Sequence, residues 1–388
     1  MITIKLLSLF SGIGAFEKAL KNLNIDFQLV GYSEIDKYAS KAYALIHGVN
    51  ENMNLGDITK INESLLPKNI DLITYGFPCQ DISVAGKKNG FMVDGEKTRS
   101  GLFFDALRII QAVKPKIAIA ENVKNLTGKR FKNEFEIVLN SLRMAGYNNY
   151  VKVLNAKDYG VPQNRERVFI VSIRKDIDNG KFEFPQPIEL TKRLKDVLEN
   201  EVDEKYYIKN LPINFKSSPK EENTKNILQL AQMYPNSGNP QAGRIYDERG
   251  ISPSLDTCQG GNRMPKIVAS RGRYILDNGV KKIQQQLEIN NTGNTNALTT
   301  VQKDNYVLEN YFKIRKLTPK ECFRLMGFDD SDIDILIENK ISNTQLYKMA
   351  GNSIVVNVLC EIFKSIRDTH ILNSKTDVLL EETRNIRG

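Results

Sequence analysis

Histidine and cysteine are scarce in this chain, with two of the first and four of the second in 388 residues. Neither His47 nor His370 sits in a motif, which argues against a cysteine-histidine hydrolase, because such a thiol needs a base beside it. Cys79, Cys258, Cys322 and Cys360 show no CxxC or other metal-ligand spacing, so no metal is expected. No secretory signal is recognised, so the cysteines read as reduced thiols and the location as cytoplasmic. The opening Met1–Phe10 is apolar enough to pass for a short signal peptide, but a glycine turn and a helical pattern follow it directly, with no small-residue cleavage site. No apolar run is read as long enough to span a bilayer, and no membrane partner is expected.

What is present fits a globular protein of two or three domains: 41% of residues are apolar and 26% charged. A net charge of +9 favours an anionic partner, although basic balance alone points to nucleic acid only weakly.

The chemistry is placed in Asp71–Ser83. An apolar, β-prone run ends there in Gly76-Phe-Pro-Cys-Gln80, and such a run reads as a buried parallel strand. Gly76 and Pro78 stop it, so Cys79 stands at the carboxyl end, where open α/β sheets carry their ligands. Taken alone, the same pattern also fits a buried, inert cysteine.

Upstream, Ile4–Phe10 reads as a strand, Ser11–Gly14 as a tight turn and Ala15–Leu23 as a helix. Glycines in such a turn let backbone approach a ligand, and the helix start offers unpaired N–H groups. A second strand, Phe27–Tyr32, leads to Glu34, 20 residues after Gly14, the place for a carboxylate that binds ribose hydroxyls. A solvated loop acid is the other reading. After a helix at Lys37–His47, Asn54–Ile58 reads as a third strand end. Asp57 there is placed either to accept from an adenine-type amino group or to cap its own turn.

Ala85–Ser100 is rich in glycine and charge and reads as a long mobile lid. Leu102–Val113 is an amphipathic helix, and Pro115–Ala120 a strand ending in Glu121-Asn-Val123, on the same rim as Cys79. A helix at Phe135–Met144 and a strand at Val151–Asn155 precede Tyr159–Arg167, which feeds the strand Val168–Ile173. Arg165 and Arg167 alternate, so both point to one side of an extended segment.

Together these residues resemble the DNA cytosine-5 methyltransferases of bacteria and phages. The resemblance rests on Phe10-Ser-Gly-Ile-Gly14, Glu34, Asp57, Gly76–Gln80, Glu121–Val123, Gln163–Arg167, Arg315–Gly327 and Gly351–Val358, all in the family's order. Two departures stand out: Ser8 where many members have Asp, and Ala15 where Gly is common. The resemblance implies an α/β fold, a Rossmann-like S-adenosylmethionine-dependent methyltransferase domain with a mixed, mostly parallel sheet, plus a smaller irregular target-recognition domain. It implies Cys79 as nucleophile, Glu121 at ring nitrogen 3, Arg167 at the ring carbonyl, and Arg165 and Asn122 steadying the rim. S-adenosylmethionine would lie against Phe10, Gly12 and Gly14, with Glu34 at its ribose, Asp57 at its adenine, and Ile13, Ile35 and Ile58 also among its binding residues. Pro78, Leu102, Asn352 and Ser353 would line its methionine side.

The implied substrate is double-stranded DNA bound by a monomer associated with the nucleoid, in a restriction-modification setting. A tRNA cytosine-5 methyltransferase and a catalytically silent DNA-binding protein on the same fold remain as alternatives. The long insert before Arg315 speaks against the first, the intact Cys79, Glu121 and arginines against the second.

Residues 1–181 and 312–388 are assigned to the catalytic domain and 182–311 to target recognition. Within the insert, Gly250–Thr257 followed by Pro265–Val268 is echoed by Gly293–Thr300 followed by Asn305–Leu308, which reads as two related turn-and-strand units. Gln80, Ser83, Gln163, Gln241, Arg244 and Ser254 are the expected DNA contacts, with Gln241 entering the space left by a flipped base and Arg244 reading a guanine. Ser374–Gly388 reads as a frayed, charged tail.

Overall fold

The computed structural model of the chain describes residues 3–78, 92–93, 96–97, 99–208, 214–215, 226–232, 243–255, 257, 266–269 and 313–371. Cys79, Gln80, Ser83, Gln241, most of the 85–100 segment, the second echo unit and the tail lie outside them.

Six strands form the central sheet: β1 (Ile4–Leu9), β2 (Phe27–Ser33), β3 (Leu72–Tyr75), β4 (Ile117–Val123), β5 (Tyr147–Asn155) and β6 (Glu166–Arg174), in the order β2-β1-β3-β4-β6-β5. The first four pair in parallel, while β6 runs antiparallel to both β4 and β5. The sheet is therefore mixed and mostly parallel, as expected.

Its strands are apolar on both faces because both are covered. Ile4 and Leu6 of β1 pack into one hydrophobic cluster, and Leu7 and Leu9 into the other. In β4 the same alternation sends Ile117 and Ile119 to the first cluster and Ala118 and Ala120 to the second. Helices α1 (Ala15–Asn22) and α2 (Lys37–His47) cover the first face, and α3 (Phe103–Val113) and α4 (Lys132–Met144) the second. The chain goes one way from β1 to β2 and the other way to β3, so the order reverses between β1 and β3, and ligands bind at such a reversal beyond the strands' carboxyl ends.

Two expectations are corrected, at Asn54–Ile58 and at Asn343–Asp368. No third strand forms at Asn54–Ile58: Gly56 takes a left-handed φ of 69°, Asp57 caps the one-turn helix Ile58–Lys60, and Asn54 makes only a single bridge to Tyr32. The insert is not cleanly set off at either end. Phe182, Phe184, Leu190, Leu194 and Val197 pack into the first cluster with the central sheet, and Lys313–Lys316 pairs with Lys266–Ala269 in a second, five-stranded sheet with Asn214–Phe215, Gln229–Gln232 and Arg244–Tyr246.

The second correction concerns Asn343–Asp368, which is long and apolar enough by composition to cross a membrane. It is broken into α7 (Asn343–Asn352) and α8 (Val356–Asp368), and Val358, Leu359, Ile362 and Phe363 are buried in the first cluster. With α5 (Pro319–Leu325) and α6 (Asp330–Glu338), these C-terminal helices complete that face.

In the segment expected to be a lid, Met92–Val93 pairs antiparallel with Glu96–Lys97, and a short helical turn at Arg99–Leu102 leads into α3.

Candidate active site

Two groups of functional side chains gather at the carboxyl rim. The first surrounds Glu34. Phe10 leaves β1 with φ 52°, a conformation rare for a side chain of its bulk, and Gly12 and Gly14 follow at φ 56° and 77°. Strain held at such a turn is a mark of functional sites. A Cβ on Gly12 would meet nothing within 4 Å, whereas one on Gly14 would lie 2.1 Å from His47 Nε2. Only Gly12 therefore faces open space. Gly14 lets α1 settle on α2, and the Ile13 side chain is buried in the core while its carbonyl accepts from His47 Nε2 at 3.0 Å.

Glu34 Oε2 accepts from the Gly12 amide at 2.9 Å and Oε1 from the Asp36 amide at 2.8 Å. Burial raises its pKa, opposed by these two backbone bonds. Asn54, which the sequence reading passed over, organises this loop. Its Oδ1 accepts from the amides of Glu34 and Gly56, and its Nδ2 donates to the Glu34 carbonyl and Ser40 Oγ, at 2.9–3.0 Å. The Asn54-x-Gly56 spacing was the available signal for such a turn.

Glu34, Ile35, Ser40, Asn52, Asn54 and Asp57 line a cleft of about 680 Å³. Ile35 is 78% exposed there, an apolar surface that invites a planar partner. Ile58 does not reach the cleft, because its side chain is buried in the core. Asp57 Oδ1 accepts from the amide and hydroxyl of Thr59 at 3.0 and 2.8 Å, so the turn-capping reading holds for that oxygen.

The second group centres on Glu121. In register, Glu121 lies opposite Phe169 and Val123 opposite Arg167, which makes Glu121 and Arg167 diagonal neighbours across β4 and β6. Arg167 Nε pairs with Glu121 Oε1 at 2.9 Å, both side chains being largely buried. Burial raises the pKa of Glu121, against the lowering charges of Arg167 and Arg165. A Cβ on Gly76 would lie 3.6 Å from Glu121 Oε2, so the Gly76-Phe-Pro78 segment passes beside that carboxyl. Asn122 Nδ2 donates to the Phe77 carbonyl at 3.0 Å and fixes the same segment.

Arg165 is buried and acts as a bracket. Its Nη1 donates to Ser254 Oγ at 3.3 Å and to the Leu255 carbonyl at 2.7 Å, and its Nη2 to the carbonyls of Gly351 and Ser353 at 2.9 and 2.8 Å. This ties the insert to the end of α7, where Ser353 is buried and Asn352 exposed. Leu102 stands half-buried where α3 begins.

Gln163 is the clearest correction among the expected DNA contacts. It is 0% exposed; its Nε2 donates to the Leu325 carbonyl at 2.8 Å, and its Oε1 accepts from the Leu255 amide at 3.3 Å. Its amide is spent inside the protein, joining α5 to the insert. Arg244 opens the strand Arg244–Tyr246 in the second sheet and is half-buried.

A family model described as C-5 cytosine-specific DNA methylase matches residues 4–368. An orphan methyltransferase of Bacillus phage SPbeta, M.SPBetaI, is 34% identical over 96% of this chain and 99% of its own length. The type II methyltransferase M.HhaI of Haemophilus parahaemolyticus is 35% identical over 92% of each. Among solved structures, the Entamoeba histolytica methyltransferase EhMeth superposes with a TM-score of 0.65 at 18% identity, covering 95% of this chain and 99% of that one, and supports the fold alone. The fold is thus a Rossmann-like methyltransferase fold, and the chain belongs to the C-5 cytosine-specific DNA methylase family, as a DNA cytosine-5 methyltransferase of the phage and restriction-modification type.

Proposed function

We propose that the enzyme transfers a methyl group from S-adenosylmethionine to carbon 5 of a cytosine flipped out of one short double-stranded DNA sequence, with Cys79 as covalent nucleophile. The observation that carries this reading is the buried Glu121–Arg167 pair beside Gly76, on the same rim as the Glu34 cleft. Cys79 follows Pro78 directly, and across a trans peptide consecutive Cα atoms are about 3.8 Å apart. Connectivity alone keeps its Cα within about 11 Å of that of Gly76.

Cytosine's carbon 5 is a poor nucleophile until carbon 6 carries an electron-releasing substituent. The Cys79 thiolate adds to carbon 6 while ring nitrogen 3 takes a proton, and carbon 5 becomes enamine-like. Burial lets Glu121 keep its proton to higher pH than an exposed carboxyl, so it can give that proton to nitrogen 3. Arg167 would hold the ring carbonyl oxygen, and Asn122, bonded to the Phe77 carbonyl, would keep the Pro78 segment in position. After methyl transfer nitrogen 3 returns its proton to Glu121, and loss of the carbon 5 proton to a base expels the thiolate and restores the ring. Among the described cysteines, Cys322 is buried in the core, and burial pushes the Cys360 thiol up to about 11, so neither suits this role.

When bound, S-adenosylmethionine supplies the methyl on a sulfonium already activated for attack. The cleft fits it. A carboxylate has about four acceptor positions, so Glu34 can hold two ribose hydroxyls besides its two amides. Asp57 Oδ2 faces no use in capping and can accept from the adenine amino group, with Ile35 against the ring. Phe10 and Gly12 would border the pocket on one side, Pro78, Leu102, Asn352 and Ser353 on the methionine side.

Residues 182–311 would recognise the target, with Gln80, Ser83, Gln241, Arg244 and Ser254 toward DNA and Gln241 filling the vacated space. The enzyme would act as a cytoplasmic monomer on nucleoid DNA. Tritium transfer from labelled S-adenosylmethionine tests the reading. Duplex DNA should be labelled and tRNA not, and Cys79→Ala should transfer nothing; labelling of tRNA alone, or an active alanine variant, would overturn it.

A further inference from the structure

The Glu34 carboxylate is held on one side by Gly12 and on the other by the amide of Asp36, and Asp36 is itself engaged twice. Its Oδ1 caps α2 by accepting from the amides of Tyr38 and Ala39 at 2.9 and 3.2 Å. Its Oδ2 pairs with Lys348 Nζ at 2.5 Å, reaching α7 from 312 residues away in sequence. Both side chains of this pair are about three-quarters covered, at 26% and 29% exposure. Although burial opposes charge on Asp36, Lys348 and the two amides hold its carboxyl below the usual range.

One turn beyond Lys348, α7 ends in Gly351-Asn352-Ser353, the segment that Arg165 grips through the carbonyls of Gly351 and Ser353. A single rigid helix is thus fastened at one point to the residue that orients Glu34, and at another to the bracket beside Glu121.

We propose that Lys348 and Asp36 are positioning residues for the cofactor, setting the spacing between Glu34 and the Asn352–Ser353 segment so that both ends of S-adenosylmethionine are engaged together. This rests on the cofactor reading above. Neither residue touches the ligand; the pair acts by fixing the frame. Ion pairs of intermediate exposure contribute about 1 kcal/mol, which is roughly a fivefold change in affinity.

The test is calorimetry of S-adenosylhomocysteine binding to the full chain, alongside its melting temperature and KM and kcat for S-adenosylmethionine. Lys348→Met should weaken binding about three- to tenfold and raise KM similarly, with kcat changed less than about twofold. Lys348→Arg, which keeps the pair, should recover binding to within about twofold of wild type. Asp36→Asn retains the helix cap but loses the ion pair, and the double variant Asp36→Asn with Lys348→Met should bind no worse than the weaker single variant. A lower melting temperature with unchanged affinity in Lys348→Met would overturn the inference, because a merely structural bridge would behave that way. Absence of binding by the wild type would overturn the cofactor reading itself, and this proposal with it.

Discussion

Glu34 and Glu121 are both carboxyls that burial pushes upward, yet they need opposite protonation states. In the proposed mechanism Glu34 would accept from hydroxyls in its ionised form, whereas Glu121 would hold a proton to give. The sign for Glu34 follows directly. Its ionised form binds, so affinity for S-adenosylhomocysteine is full above its raised pKa and falls as pH drops through it. Glu34→Ala should raise the dissociation constant roughly ten- to a hundredfold, as for the loss of about 1.5–3 kcal/mol of charge-assisted hydrogen bonding, and should abolish that fall. Calorimetry across pH checks both, and an unchanged affinity would reduce Glu34 to a loop acid. The positions of Glu34 and Glu121 at strand ends were legible from motif spacing, whereas Asp57 caps the turn at Ile58–Lys60 and ends no strand. Gln163 was misassigned because a string of polar residues before a strand does not reveal which one turns inward, and its partners Leu325 and Leu255 lie far away in sequence. Asp36 and Lys348 were missed for the same reason, because their pairing is tertiary, whereas Asn54 carried a local turn signal that was passed over.

At the level of elements, the central strands and the helices around them were readable because two-sided burial writes continuous apolar runs, as in Leu6-Leu7 and Ile117–Ala120. The false third strand shows the limit, since a left-handed glycine and a capping aspartate outweigh a short apolar pattern. The seat of α1 on α2 carries its own pH signature. His47 is buried, its pKa lowered to about 3 by burial first and by Lys21 next, and its Nε2–H donates to the Ile13 carbonyl. The folded protein therefore refuses a proton that the unfolded chain takes up near pH 6.5. Stability contributed here is present above that value and is lost as pH falls below it, by about 1 kcal/mol between pH 6 and 5. His47→Gln, which keeps a donor, should flatten this part of the urea-midpoint profile; an unchanged slope would show that His47 titrates normally.

Across the described residues, Gln163 and Arg165, just ahead of β6, join the insert to the C-terminal helices, so the insert and the Glu121 rim share one frame. Past the boundary read at 182, Phe182–Val197 is irregular in sequence yet packs with the central core, and past that at 312, Lys313–Lys316 pairs non-locally with Lys266–Ala269. Binding to DNA through phosphate contacts should weaken as salt rises, in proportion to the number of those contacts. Against that background, Arg244→Ala should relax discrimination at one base position, costing about 1–3 kcal/mol of selectivity there. Methylation of a library of single-base site variants reads this out, and uniform loss at every variant would make Arg244 a phosphate contact.

The central claim is a covalent bond between Cys79 and carbon 6 of a flipped cytosine. It is tested most directly with duplex DNA carrying 5-fluorocytosine at the target, where fluorine cannot leave as a cation and the intermediate is trapped. A denaturant-stable protein–DNA adduct is expected that requires S-adenosylmethionine, maps by peptide mass spectrometry to Cys79 and is absent from Cys79→Ala. An adduct at another residue, or efficient methylation of ordinary cytosine by the alanine variant, would contradict it.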